Sequence, residues 1–284
     1  MSGTWDSGDP PAHVKMGPVQ WLLVVLRGLP LGLLVFGGLL VLLLVRLVES
    51  PRHGMQRPWT PHITRFVCRA SFVLLGIKFF TKGTPMTEQG AVVANHSSWL
   101  DIFSLNARKL VYFVSKSEVA KWPGIGWLAR ATGTVFIDRD PKQARAQKEV
   151  FETRLLAGHK LLFFPEGTSS DGIRVLPFKS TLFAAFFTPE LRDVLYVQPV
   201  TLSYEAPNGT DPRLYGWWGD MDFAPHLLQT LAATSQGQVT VTYHSPLKVS
   251  DFETRKELAF ACEKIIRSGL KISPAAQAML SKQR

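Results

Sequence analysis

The chain has 284 residues, 46% of them hydrophobic and 19% charged, which is enough apolar material to bury a core and too much for a compositionally disordered chain. Thirty-two Lys and Arg against 22 Asp and Glu leave a net charge of +10, which suits contact with an anionic surface, whether lipid, nucleic acid or an acidic carrier. The two cysteines, Cys68 and Cys262, lie far apart with no partner at metal-ligand spacing; this excludes a disulfide framework and a structural zinc site, and the absence of a P-loop or Gly-x-Gly-x-x-Gly leaves nucleotide-dependent chemistry without support.

Residues 1–18 contain Gly3, Gly8, Pro10 and Pro11 and few apolar side chains, and predict a flexible lead-in. From Gly28 to Val45 run 18 residues without a charge, bracketed by Arg27 and Arg46. As a helix this stretch would be ~27 Å long, close to the thickness of a bilayer core. A secretory signal peptide is the competing reading, but the run starts late and is followed by Val48-Glu49-Ser50-Pro51 rather than a small-x-small cleavage site. Arg46, Arg52, Arg57, Arg65, Arg69, Lys78 and Lys82 follow the run, against Lys15 and Arg27 before it, so the positive-inside rule puts the body of the protein in the cytoplasm. Gly28, Pro30, Gly32, Gly37 and Gly38 leave two geometries open, a crossing helix and a kinked helix lying partly in one leaflet. Pro61 to Phe80 then places Ile63, Phe66, Val67, Ala70, Leu74 and Ile77 at helical spacing, either as a basic interfacial helix or as one packed on the domain.

From residue 90 short apolar runs alternate with helical stretches. The predicted strands are Ala91–Ala94, Val111–Val114, Thr134–Ile137, Lys160–Phe164, Leu195–Leu202 and Val239–Tyr243, and the predicted helices are Pro141–Ala157, Lys179–Phe187 and Phe252–Ser268. The alternation predicts an α/β domain, a mixed and mainly parallel sheet flanked by helices, behind an N-terminal membrane-associated helical segment. The divisions are a flexible terminus at 1–18, membrane-embedded and interfacial helices at 19–82, the domain at 83–270 and a flexible tail at 271–284.

The chemistry concentrates in Asn95-His96-Ser97-Ser98-Trp99-Leu100-Asp101, directly after the first strand of the domain. On one continuous helix His96 and Asp101 would point roughly 140° apart. They meet if His96 sits in the turn and Asp101 one turn inside a following helix. Asp101 would then accept from one ring nitrogen, fix the tautomer and leave the other as a general base near neutral pH. This segment, with those below, resembles the glycerolipid acyltransferase family of the 1-acylglycerol-3-phosphate acyltransferase type, marked by a His and an Asp separated by four residues. The resemblance runs from about residue 90 to 205.

Gly126-Trp127-Leu128 to Gly133-Thr134-Val135-Phe136-Ile137-Asp138-Arg139 looks like the family's second motif, which implies that Arg139 lies near the acceptor lipid, and Lys116 is similar to a Lys placed by the same site. Both cations suit a phosphate or carboxylate head group. Phe164-Pro165-Glu166-Gly167-Thr168-Ser169-Ser170-Asp171-Gly172 predicts an exposed turn at a sheet edge and looks like the third motif, so that Glu166, Gly167 and Thr168 become site residues, with Glu166 ordering either the loop or the acceptor. Lysophosphatidic acid acyltransferases usually place an Arg where this chain has Ser169. The downstream run through Arg174 to Lys179-Ser180, with Trp218-Gly219-Asp220-Met221, resembles the bacterial branch that acylates lyso-ornithine lipid, in which Arg174 or Lys179 would replace the missing cation. Val197-Gln198-Pro199-Val200 matches the fourth motif.

The resemblance implies an O-acyltransferase of a bacterial inner membrane, its domain facing the cytoplasm, with His96 and Asp101 catalytic. It takes an acyl group from acyl carrier protein or coenzyme A as co-substrate, with no other cofactor and no metal, to the hydroxyl of a membrane lyso-lipid: lyso-ornithine lipid, with lysophosphatidic acid as the alternative acceptor. A non-catalytic membrane scaffold is a rival reading. A serine hydrolase lacks a Gly-x-Ser-x-Gly elbow, and nucleic-acid binding ranks last because the basic residues follow the hydrophobic run rather than interleaving with aromatics.

Overall fold

The computed structural model describes residues 4–9, 14–138 and 144–282. Its elements in chain order are α1 (Pro18–His53), α2 (Thr60–Leu75), β1 (Lys78–Lys82), β2 (Gly90–Ala94), α3 (Leu100–Asn106), β3 (Tyr112–Lys116), α4 (Ile125–Ala131), β4 (Val135–Ile137), α5 (Ala144–Leu156), β5 (Leu161–Phe163), β6 (Tyr196–Glu205), α6 (Phe223–Ala232), β7 (Gln238–Tyr243), β8 (Leu247–Lys248), α7 (Arg255–Gly269) and α8 (Pro274–Lys282). The strands form one sheet in the order β1-β7-β6-β2-β5-β3-β4, with β8 on β6. β6, β2, β5, β3 and β4 are mutually parallel, and β7 runs antiparallel to β6, which gives the mixed, mainly parallel sheet that the alternation predicts.

Both faces of this sheet are covered, which is why β2 reads as an unbroken apolar run instead of an alternating one. Val92 and Ala94 point into a core shared with α2, α3, β7 and α6. Ala91 and Val93 point the other way, into a core closed by Phe183, Phe186 and the Leu258, Cys262 and Ile266 face of α7. The stretch predicted as a helix over Lys179–Phe187 is a 3₁₀ segment, Ser180–Phe187.

The boundary at residue 82 needs correction. The helical spacing of Pro61 to Phe80 ends early, because Gly76 takes a left-handed φ of 79° and closes α2 by donating its N–H to Phe72 and Val73. Lys78–Lys82 then pairs in parallel with β7, so β1 belongs to the sheet. The tail is not featureless either: α8 spans Pro274–Lys282, with the Ser273 hydroxyl accepting from the Ala276 N–H and Ala276 buried. At the other end the predicted flexible lead-in is docked over residues 5–9. The Trp5 carbonyl accepts from Gly219, the Ser7 hydroxyl from the Trp218 indole, and Asp9 pairs with the buried Arg213 at 3.1 Å.

α1 is 36 residues long, so at 1.5 Å per residue it measures about 54 Å. One side packs on α2, α4 and α6. The other presents Leu29, Leu33, Leu40 and Leu47 to the outside, an apolar surface of the kind that meets a membrane. The helix is pinned at both ends of its apolar run to the same domain. Arg27 donates to the carbonyls of Leu231 and Ala233 at 2.8 and 2.6 Å, and just past the helix Gln56 and Arg57 donate to Ala157 and Ala131.

Candidate active site

In parallel sheets the strand C-termini gather on one edge, where successive turns bring distant residues together. Here the segment after β2 supplies His96, the end of β3 supplies Lys116, and the segment after β5 supplies Glu166, Gly167 and Thr168. Arg139 lies outside the described residues.

His96 occupies the turn and Asp101 the first turn of α3, the arrangement that lets them meet. His96 Nδ1 lies 2.7 Å from Asp101 Oδ2. The same oxygen accepts the Ser97 and Ser98 N–H groups at 2.7 and 3.0 Å, and Oδ1 accepts the Tyr204 hydroxyl at 2.7 Å. Asp101 is fully buried, and four donors meet its two oxygens. With Nδ1 donating to a carboxylate that only accepts, Nε2 is the basic nitrogen of the neutral ring. Burial and the Asp101 charge hold the Tyr204 phenol well above its ordinary pKa, so it remains a donor. The imidazole stacks on Phe164 with ring centroids 4.0 Å apart and planes 8° from parallel.

The third motif clamps the first. Glu166 is buried; one carboxylate oxygen accepts the His96 N–H at 2.8 Å and the other the Leu176 N–H at 2.9 Å. Ser170 donates its N–H to the His96 carbonyl at 2.9 Å, and Trp217 donates to Ser97 at 2.8 Å. Of its two predicted duties, Glu166 thus performs the ordering of the loop. Burial pushes its carboxyl up to about 8 against the opposing pull of the two N–H donors. Gly167 has φ +73°, and a Cβ there would stand 2.7 Å from Lys179 Nζ, so the turn requires glycine. The Thr168 hydroxyl faces the Ser169 carbonyl at 3.4 Å.

The two cations offered in place of an Arg at 169 differ. Arg174 is bound through Nε and Nη2 to the buried Asp171, at 2.8 to 3.1 Å, and its guanidinium lies 5.0 Å from the Trp5 ring centroid. Lys179 is exposed beside the Gly167 turn. Lys116 is exposed at the end of β3.

His96 also lines an apolar cavity of about 460 Å³ that runs under α3 and α4 to α1 and α2. Its walls include Gly32 and Leu39 of α1, Val67 of α2, Ile102 of α3 and Leu128 of α4. Small residues on the inner side of α1 do two jobs. A Cβ at Gly38 would come 2.5 Å from Val67 Cγ2, so Gly38 sets the close approach of α1 and α2, whereas a Cβ at Gly32 would meet nothing within 4 Å and faces open space.

Beside this imidazole, held by a buried carboxylate and lining an apolar cavity, stands similarity along the chain. The acyltransferase family model matches residues 80–203. A lyso-ornithine lipid O-acyltransferase of Rhodobacter capsulatus is 58% identical over 266 residues, 94% of this chain and 96% of that protein. The chain belongs to the acyltransferase family. A lyso-ornithine lipid O-acyltransferase of Brucella abortus is 35% identical over 75% of this chain and 84% of its own length. The crystal structure of PlsC, the 1-acyl-sn-glycerophosphate acyltransferase of Thermotoga maritima, has the same fold, with a TM-score of 0.63 at 21% identity over 92% of this chain and 96% of that one. In this acyltransferase, sequence reading missed Tyr204, Asn95 and Phe164. The parity of β6 carries the one available signal for Tyr204, since Val200, Leu202 and Tyr204 share the face toward α3. Asn95, fully buried, locks the turn to β6 by bonding the Leu202 N–H and carbonyl at 2.8 and 2.9 Å.

Proposed function

We propose that this acyltransferase moves a fatty acyl group from the thioester of acyl carrier protein or coenzyme A to the free hydroxyl of a lyso-lipid, and that the acceptor is lyso-ornithine lipid. The observation that carries the reading is the 2.7 Å contact of His96 with buried Asp101 at the mouth of the apolar cavity. His96 Nε2 takes the acceptor hydroxyl proton as the oxygen attacks the thioester carbonyl. The carbon–sulfur bond breaks, the imidazolium returns the proton to the leaving thiolate, and an ester remains. Asp101 orients the ring and stabilises its cation, as a general-base pair requires. No acyl-enzyme forms, so both substrates bind together. The cavity takes the donor's acyl chain, and Lys179 and Lys116 serve the acceptor head group.

α1 and α2 form the membrane face. Because hydrogen bonds from both sides of the apolar run of α1 return to one domain, we place that helix in a single leaflet of the bacterial inner membrane, with the domain on the cytoplasmic side. Of the two geometries, these bonds favour a helix lying in one leaflet over a crossing one. The resemblance of two relatives named as lyso-ornithine lipid O-acyltransferases favours that acceptor.

The test is a profile of acceptors against donors with the detergent-solubilised enzyme. Lyso-ornithine lipid is expected to be the preferred acceptor, and exclusive use of lysophosphatidic acid would overturn that choice. His96→Ala and Asp101→Asn are each expected to lower kcat by at least about 100-fold, the share that general-base catalysis supplies. Full activity in either variant refutes the dyad and favours the scaffold reading.

A further inference from the structure

A second cavity, of about 500 Å³, lies on the other edge of the sheet. Its walls come from the connection between α1 and α2 (Arg57), the start of α2 (His62, Arg65), from Pro85 ahead of β2, and from Arg108 and Lys109 between α3 and β3. Since β2 and β3 carry His96 and Lys116 at their C-terminal ends, residues preceding these strands stand at the opposite edge, a strand length from the catalytic turn.

Four cations and a histidine line this cavity, and no carboxylate does. Two of them are anchored: Arg57 donates to the Ala131 carbonyl at 2.6 Å and Lys109 to the Met86 carbonyl at 2.5 Å. The Arg65 guanidinium lies 3.2 Å from His62 Nδ1, and Arg65 and Arg108 are exposed. Two acidic residues act from outside the cavity, Glu88 on Lys109 and Lys160 and Glu49 on Arg57. The outward stripe of α2 continues from His62 and Arg65 to Phe66 and Val73, which are 65% and 80% exposed. Exposed Arg69 lies between them on the same face, so within about three turns one helix face carries cations beside bare apolar side chains. Both parts of a phospholipid, its head group and its acyl chains, find partners on that face.

We propose that this cavity is a non-catalytic site for the phosphate of an anionic phospholipid, with Arg65 and Arg108 closing on the head group and the acyl chains lying along Phe66 and Val73. Basic pockets beside membrane-embedded helices bind acidic head groups through this chemistry. The site is independent of the acyl-transfer reading, because none of its residues lies on the catalytic edge.

The test compares binding of the full-length protein to phosphatidylcholine vesicles with and without phosphatidylglycerol, by flotation. The double variant Arg65→Ala/Arg108→Ala is set against a control of equal charge on α1 and α2, Arg52→Ala/Arg69→Ala, whose residues lie outside the cavity. Each cation at an anionic surface is worth about a factor of five. Diffuse attraction alone therefore gives roughly 25-fold for either double variant on phosphatidylglycerol vesicles; the cavity variant is expected to lose more than that and more than the control, and little for phosphatidylcholine alone. Acyl transfer to acceptor presented in neutral detergent should be unchanged, which shows that the variant is folded. Equal losses in the two double variants would mean diffuse attraction and overturn the site, as would no loss in the cavity variant. Inorganic phosphate bound to the solubilised protein and lost in the cavity variant, with vesicle binding intact, would overturn the lipid as its source.

Discussion

Gly32 gives the sharpest test of what the apolar cavity holds. It lies on the inner side of α1, lines the cavity, and has open space where a Cβ would be. Leucine favours a helix more than glycine does, so Gly32→Leu leaves α1 intact while four carbons enter the space of about 460 Å³. That displaces about three methylenes of a chain that fills the cavity, and each methylene left unburied costs about 0.8 kcal/mol. The longest acyl donors should therefore lose about 2.4 kcal/mol, or roughly 60-fold in kcat/KM, while donors several carbons shorter keep their rate. The assay is a homologous series of saturated acyl thioesters with one acceptor, and a second series of acceptor chain lengths with one donor. A uniform loss across donors refutes the reasoning, because it would report a disturbed helix pair rather than a shortened cavity. A shift confined to the acceptor series would show that the cavity holds the other chain. Gly38→Leu is the contrasting substitution: it meets Val67, separates α1 from α2, and should lower activity on every chain alike.

Two further substitutions test the support around the dyad. Tyr204→Phe removes one of the four donors to Asp101 and leaves Oδ1 buried without it, at a cost of about 2 kcal/mol in unfolding free energy; kcat is expected to fall about tenfold with KM unchanged, and an unaltered kcat would exclude Tyr204 from positioning Asp101. Glu166→Gln tests the buried clamp: because the folded carboxyl is raised to about 8 from an ordinary carboxylate value, the folded protein holds a proton that the unfolded chain releases, so this contribution to stability is complete at low pH and is lost as pH rises from about 4.5 through 8. The amide does not titrate, so thermal unfolding from about pH 5 to 8 should show wild type losing stability faster than the variant, by up to about 1.4 kcal/mol per pH unit, while at low pH the variant is the less stable for want of one N–H acceptor. Parallel curves would contradict the burial of an ionisable group at this position.

What could be read from the sequence depended on how local the signal was. The six domain strands and the turn carrying His96 were legible because each is announced within a few residues, by an apolar run and by the spacing of a His and an Asp. β1 was not. Ile77 and Phe80 extend the helical spacing of α2 by accident, and only Gly76 marks the break, while the partner that makes Lys78–Lys82 a strand lies some 160 residues downstream in β7. Tyr204 failed for the same reason: its hydroxyl reaches Asp101 across 103 positions, and no local pattern gives a tyrosine in a core strand that duty. The docking of Trp5 and Asp9 was hidden by composition, since a segment rich in Gly and Pro looks flexible until Arg213 and Arg174 are placed beside it. Glu166 was half legible. Its motif located it, but the bonds that tie it to the His96 and Leu176 N–H groups depend on where the fold places those groups.

α1 joins the membrane to the chemistry because its two sides carry different residues. Its outer side is made of large apolar side chains that gain nothing from the domain, and its inner side uses Gly28, Gly32 and Gly38 where bulk would close the cavity or push away α2 and Leu231. A helix serving only as an anchor has no use for an inner side of glycine, since each costs about 1 kcal/mol of helix stability against alanine. A helix serving only as a cavity wall has no use for exposed leucines. On the proposed function, both features on one element put the acyl-binding space directly behind the bilayer surface. The hydroxyl of a single-chain acceptor then needs to rise only as far as its own polar head to meet His96.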